Sequence, residues 1–167
     1  MNDLIEQVIQ RLKQRQGSKA NIYYRPLSAP PAEKVLLDNG QIILSGVAIS
    51  LIVDLYSMNK DNPWVAWILQ GIHYDVRFFF EINEQMINFV PRLMVLDWPI
   101  VFVVGKQHPL IASYYHLITR TELAALPDKA ILIRSAKQLM TAEAKEICQF
   151  KNIIVKVRAD ENCIWQK

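Results

Sequence analysis

Asp54 and Asp75 fall near the ends of expected strands, where α/β proteins often place carboxylates that bind a ligand or move a proton. The same positions suit residues that end strands and cap loops, so they define an alternative site rather than an assigned one. His73, His108 and His116 occur singly, and neither an HExxH pattern nor paired ligand spacing joins them, so no metal site is indicated. Gly105-Lys106 follows an expected strand, but a phosphate loop needs glycine four residues earlier and Ser or Thr after the lysine. Val101 and Gln107 stand there instead. No GxGxxG pattern is present, and Ser50 and Cys148 lie in no nucleophile motif. Cys148 and Cys163 form no CxxC pair and are expected as reduced thiols. The chain therefore offers no catalytic residue and calls for no cofactor, and it is expected not to be an enzyme.

The elements that would carry these residues follow from local pattern. Val35-Leu36-Leu37 and Ile42-Ile43-Leu44 flank Asp38-Asn39-Gly40, a spacing that predicts a β-hairpin. The apolar, β-branched run Val47–Leu55 reads as a central strand buried on both faces. Asn62-Pro63 opens a helix with Trp64, Trp67, Ile68 and Ile72 on its inner side. Val76–Phe80 is a strand, and 83–89 a short helix or irregular turn. Ile100–Val104 and Leu110–Ala112 form a hairpin about Gly105, and Thr121–Leu126 is a helical turn ended by Pro127. Ala130–Ile133, a helix capped by Thr141 that runs to Phe150, and Ile153–Val157 make a strand–helix–strand unit. The fold class is α/β: a single compact domain over 34–167 with a mixed sheet and flanking helices. Trp64, Trp67, Phe78 and Phe80 are expected in the core, whereas Trp98 and Trp165 are harder to bury by pattern and are available to a partner.

Charge singles out the N-terminus. Residues 1–34 carry six Lys or Arg against three acids, and the remaining chain balances 13 against 13, so the formal charge of +3 lies at this end. A balanced body argues against a nucleic-acid groove. The apolar run Gln41–Val53 is too short for a membrane helix, and no signal-peptide pattern opens the chain, which points to the cytoplasm. Leu4, Ile5, Val8, Ile9 and Leu12 recur at helical spacing among Glu6, Gln7, Gln10, Arg11, Lys13 and Gln14. They predict an amphipathic helix over 1–15, capped by Asp3 with Glu6 three residues on. Gly17-Ser18 and Pro26, Pro30 and Pro31 make 16–33 a linker. A five-aliphatic stripe on so short a helix cannot bury itself locally. It must meet a groove on another protein, its own domain or, least suitably given few basic residues, a lipid surface.

These features in this order resemble the PduM family of bacterial microcompartment assembly proteins. The residues that carry the resemblance are the Leu4–Leu12 helix, Ser50-Leu51-Ile52-Val53-Asp54-Leu55, Gly71-Ile72-His73-Tyr74-Asp75-Val76, Pro99-Ile100-Val101-Phe102, Pro109-Leu110 and Thr141-Ala142-Glu143-Ala144-Lys145. The resemblance implies a non-enzymatic protein needed for assembly of a microcompartment of the 1,2-propanediol type. Its partners would be shell or core proteins, contacted through Leu4, Ile5, Val8, Ile9 and Leu12. Two other classes compete with this expectation. One is a small cofactor- or ligand-binding enzyme of the same pathway with its site at the sheet edge near Asp54 and Asp75. The other is a cytosolic regulator whose helix packs on its own domain.

Overall fold

Parallel strand pairing organises the first part of the chain in the computed structural model, which describes the backbone of residues 2–158 and the side chains of residues 4–158. β1 (Lys19–Tyr23), β2 (Gln41–Ser45) and β3 (Arg77–Ile82) lie side by side, with Ile42 of β2 opposite both Ala20 and Phe78. The connections are helical, as parallel neighbours require. α1 (Asn2–Gly17) precedes β1, α2 (Lys34–Asp38) links β1 to β2, and α3 (Ile49–Tyr56) with α4 (Pro63–His73) links β2 to β3. The chain divides after Glu81 into two compact units.

In the first unit the core is a run of aromatic rings meeting edge to face. Ring centroids are 5.2 Å apart for Tyr24–Trp64, 5.9 Å for Trp64–Trp67 and Trp67–Phe78, and 6.2 Å for Phe78–Phe80. Such pairs contribute about 0.5–1.5 kcal/mol each beyond their buried area. Asn62 starts α4 as its sequence indicates: its side chain accepts from the Trp64 backbone N–H at 3.0 Å, and Pro63 holds the first helical position.

Three expectations change here. Val47–Leu55 is not a central strand: residues 49–56 form α3, and Leu51, Ile52 and Leu55 are buried at helical spacing while Ser50 is exposed. Continuous apolar runs of this length fit a buried helix as well as a buried strand, and the pattern alone does not separate them. Asp38-Asn39-Gly40 is not a hairpin turn. It joins α2 to β2, and Asn39 is extended at φ −124°. Residues 16–33 are not simply a linker either, since 19–23 form β1. The following segment is tied down by Trp64, whose indole N–H donates to the carbonyls of Arg25 (3.1 Å) and Ser28 (2.8 Å).

The second unit mixes strand directions. β4 (Ile100–Val104) and β5 (His108–Ala112) form the expected antiparallel hairpin, turned by Gly105 and Lys106 at φ 57° and 66°. β7 (Ile131–Ser135) lies parallel to β5 and to β9 (Ile154–Arg158). A 3-10 helix (Glu84–Phe89) and α5 (Arg92–Asp97) precede the hairpin. α6 (Arg120–Ala124) lies between β6 (Leu117–Ile118) and β8 (Leu139–Met140), which pair in parallel, and α7 (Ala142–Phe150) follows β8. Thr141 caps α7 by accepting from Ala144 N–H at 3.1 Å. Leu132, Ile118, Leu123, Ala144, Cys148 and Ile153 make its core. The class is thus α/β, with a mixed sheet and flanking helices.

Gly71 of α4 marks a close helix-on-strand contact. A Cβ there would come within 2.6 Å of the Phe78 ring and 2.9 Å of Leu36 Cδ2. Helix propensity favours alanine by about 1 kcal/mol, but overpacking costs about 1–3 kcal/mol. Gly71→Ala should therefore lower stability by up to about 2 kcal/mol, measurable as a reduced midpoint in urea unfolding.

Candidate partner-docking site

The five aliphatic residues of α1 stand in solvent. Leu4 is 69 % exposed, Ile5 56 %, Val8 50 %, Ile9 46 % and Leu12 52 %, and no residue from 4 to 14 is buried. The helix runs over Asn2–Gly17, close to the expected span, while the Asp3 cap lies outside the described side chains. Packing of α1 back onto its own chain, the arrangement expected of a self-contained regulator, is not the one observed.

Among the described residues, the hydrogen bonds that hold α1 fall in its last turn. The Arg15 guanidinium donates through Nη2 to the carbonyls of Tyr74 (2.5 Å) and Leu36 (3.2 Å). The Arg15 carbonyl accepts from Gly40 N–H at 2.8 Å and Ser18 N–H at 3.0 Å. Glycine is needed at 40 for space: a Cβ would lie 2.7 Å from the Arg15 oxygen and 3.1 Å from Gln16 Cα. Asn39 completes the seat, accepting from Ser18 Oγ at 2.7 Å and donating to the Val35 carbonyl at 2.9 Å. Arg15, Asn39 and Gly40 thus position the helix; the sequence places Arg15 in its last turn, but does not assign Asn39 and Gly40 to it. The Asn-Gly pair was a legible signal, but of a close backbone approach rather than a hairpin.

The residues with chemical potential are dispersed. Asp54 lies in the last turns of α3, where it accepts from the side chains of Asn59 (3.2 Å) and Asn62 (2.9 Å) and so braces the turn into α4. Asp75 precedes β3, at φ 60°, and its N–H closes the end of α4 on the Ile72 carbonyl at 3.0 Å. Both act as the turn and cap residues that their sequence positions also allowed. His108 pairs through Nδ1 with the Lys129 carbonyl at 2.7 Å, and His73 sits in the last turn of α4. Burial of Cys148 in the second core raises its thiol pKa, which keeps it protonated and unreactive. Cys163 and Trp165 lie outside the described residues, and Trp98 is half-buried. Among the described residues no three His, Cys, Asp or Glu side chains are grouped to hold a metal, and no helix is long and apolar enough to cross a membrane.

A family model described as "Putative propanediol utilisation" matches residues 3–154, a span that takes in all but the first residue of α1, its seat, the rest of the first compact unit and the second as far as the start of β9. No curated protein and no solved structure matches the chain.

Two substitutions separate the seat from the carboxylates. Arg15→Ala removes charge-assisted hydrogen bonds of about 1.5–3 kcal/mol each, so hydrogen exchange in residues 2–17 should accelerate well beyond that of β2 and β3. Asp75→Gly should stabilise the fold by up to about 1 kcal/mol, because glycine adopts a positive φ without strain. A rise in thermal midpoint checks this, and a loss of stability would assign the carboxylate a role its backbone does not explain.

Proposed function

We propose, from the premise that this chain belongs to the propanediol-utilisation family, that it is a non-catalytic assembly protein of a bacterial microcompartment, of the PduM type. In this reading α1 docks by laying Leu4, Ile5, Val8, Ile9 and Leu12 into an apolar groove of a shell or core protein, and the protein acts inside the cytoplasm at the compartment. The observation that carries the proposal is the exposed stripe on a helix anchored at its last turn. An amphipathic helix presented this way suits helix-in-groove recognition, in which residues at i, i+3, i+4 and i+7 serve as anchors. A lipid surface is a poorer fit, since Arg11 and Lys13 are few cations for an anionic membrane.

Magnitudes say what such a contact is worth. Completing the burial of a half-exposed aliphatic side chain gains on the order of 1 kcal/mol, so five give roughly 5 kcal/mol. Association costs about 4–15 kcal/mol in lost translational and rotational freedom. One helix therefore makes a weak, reversible contact, and firm retention needs either further contacts or more than one helix.

The test is co-purification of the full chain with intact microcompartments, compared with Val8→Asp plus Leu12→Asp. Two carboxylates placed in a desolvated groove cost several kcal/mol, about 2–7 for even an uncharged polar group left unpaired, which exceeds what the stripe supplies. Loss of co-purification with an unchanged thermal transition is the expected outcome. Retention of the double variant at the wild-type level would move the contact away from α1.

A further inference from the structure

We infer that β1 is the self-pairing edge of a twofold dimer, in which β1 of a second copy adds antiparallel to it. β1 pairs in parallel with β2 and, among the described residues, is the last strand on that side. Its bonds to β2 use alternate residues: the Ser18 carbonyl accepts from Gln41 N–H, and Tyr24 N–H donates to the Ser45 carbonyl. In a parallel ladder this alternation sends the N–H and C=O groups of Lys19, Asn21 and Tyr23 away from β2. The side chains of those three residues are also exposed, while Ala20 and Ile22 are half-buried.

The strand's own sequence selects the occupant. With Asn21 on the twofold axis, the three outward-facing residues meet three outward-facing residues: Asn21 opposite Asn21 of the second copy, and Lys19 opposite Tyr23 in both directions. Each such pair exchanges two backbone hydrogen bonds. Lys19 then lies beside an aromatic ring, a favourable cation–π neighbour, and Ala20 meets Ile22 on the other face. No charge meets its like. Moving the register by one pair sets Lys19 against Arg25 in one direction, and in the other sets Tyr23 against Gly17 at the end of α1. The edge also lacks the usual protection against such pairing: its single charged residue stands at one end, and it contains neither proline nor an inward-pointing charge. The interface is isologous and closes at two copies. Because α1 enters β1 through Ser18 alone, one dimer would present two docking helices, which raises avidity without any new contact in the groove.

Sedimentation velocity of the full chain over a range of concentrations tests the register. The wild type should sediment at twice the mass of one chain. Asn21→Asp and Asn21→Lys each place like charges on the axis and should each be monomeric, and an equimolar mixture of the two should recover the dimer. Asn21→Pro removes an outward-facing N–H at an edge position that tolerates proline, so it should keep a cooperative thermal transition and lose the dimer. A wild type that remains a monomer, single variants that dimerise like the wild type, or a mixture that stays monomeric would each overturn the inference. The readout is mass alone, so it stands or falls independently of any microcompartment contact.

Discussion

The backbone oxygen of Arg15 and the bare Cα of Gly40 occupy space that no other residue at position 40 would leave open, and the presentation of α1 depends on that approach. A short helix is marginal in water by itself, because nucleation fixes several dihedrals for one hydrogen bond. α1 also lacks the usual compensation, a buried apolar face. Its last turn is instead bonded to backbone carbonyls at the ends of α2 and α4 and to the N–H that leads into β2. The seat is made almost entirely of backbone groups, so it imposes few demands on sequence beyond Arg15, Asn39 and Gly40.

This explains much of what the sequence made legible and what it hid. Signals within a few residues of one another read correctly: Asn62-Pro63 at the start of α4, Thr141 at the start of α7, and Gly105-Lys106 at the β4–β5 turn. Each depends on a local hydrogen bond or dihedral preference that survives in almost any tertiary setting. α3 was misread because a helix with little exposed surface loses its polar face, and with it the period that would separate it from a buried strand. Asp54 and Ser50 were the residual signal, since a strand buried on both faces tolerates neither readily.

β1 was invisible for a different reason. Five residues with only Ala20 and Ile22 turned inward supply no hydrophobic run, and the prolines that follow suggest disorder. What orders the strand is pairing with β2, and what orders the segment after it is the indole of Trp64, some forty residues on in the chain. Non-local pairing of this kind leaves almost no trace in a window of ten residues. The core aromatics Trp64, Trp67, Phe78 and Phe80 were legible from their spacing and are buried, and the α1 stripe was legible as an amphipathic pattern. An aliphatic stripe on a polar helix is conspicuous without any knowledge of what it touches, whereas the groups that hold the helix act through their backbone.

Anchoring one end of a docking helix also alters the energetics of the contact proposed for it. A disordered segment that folds on binding gives up about 1–2 kcal/mol of backbone entropy per ordered residue, which over a segment the length of α1 exceeds the gain from five aliphatic side chains. A helix already formed and seated at Arg15 leaves that cost with folding of the first compact unit, where the Tyr24–Trp64–Trp67–Phe78–Phe80 core can offset it. In the proposed contact the seat and the stripe would be parts of one device: the stripe would supply modest apolar affinity, and the seat would leave the ordering cost of the helix with folding. Firm attachment in that proposal would depend on how many seated helices one particle carries, which is where the proposed pairing of β1 enters.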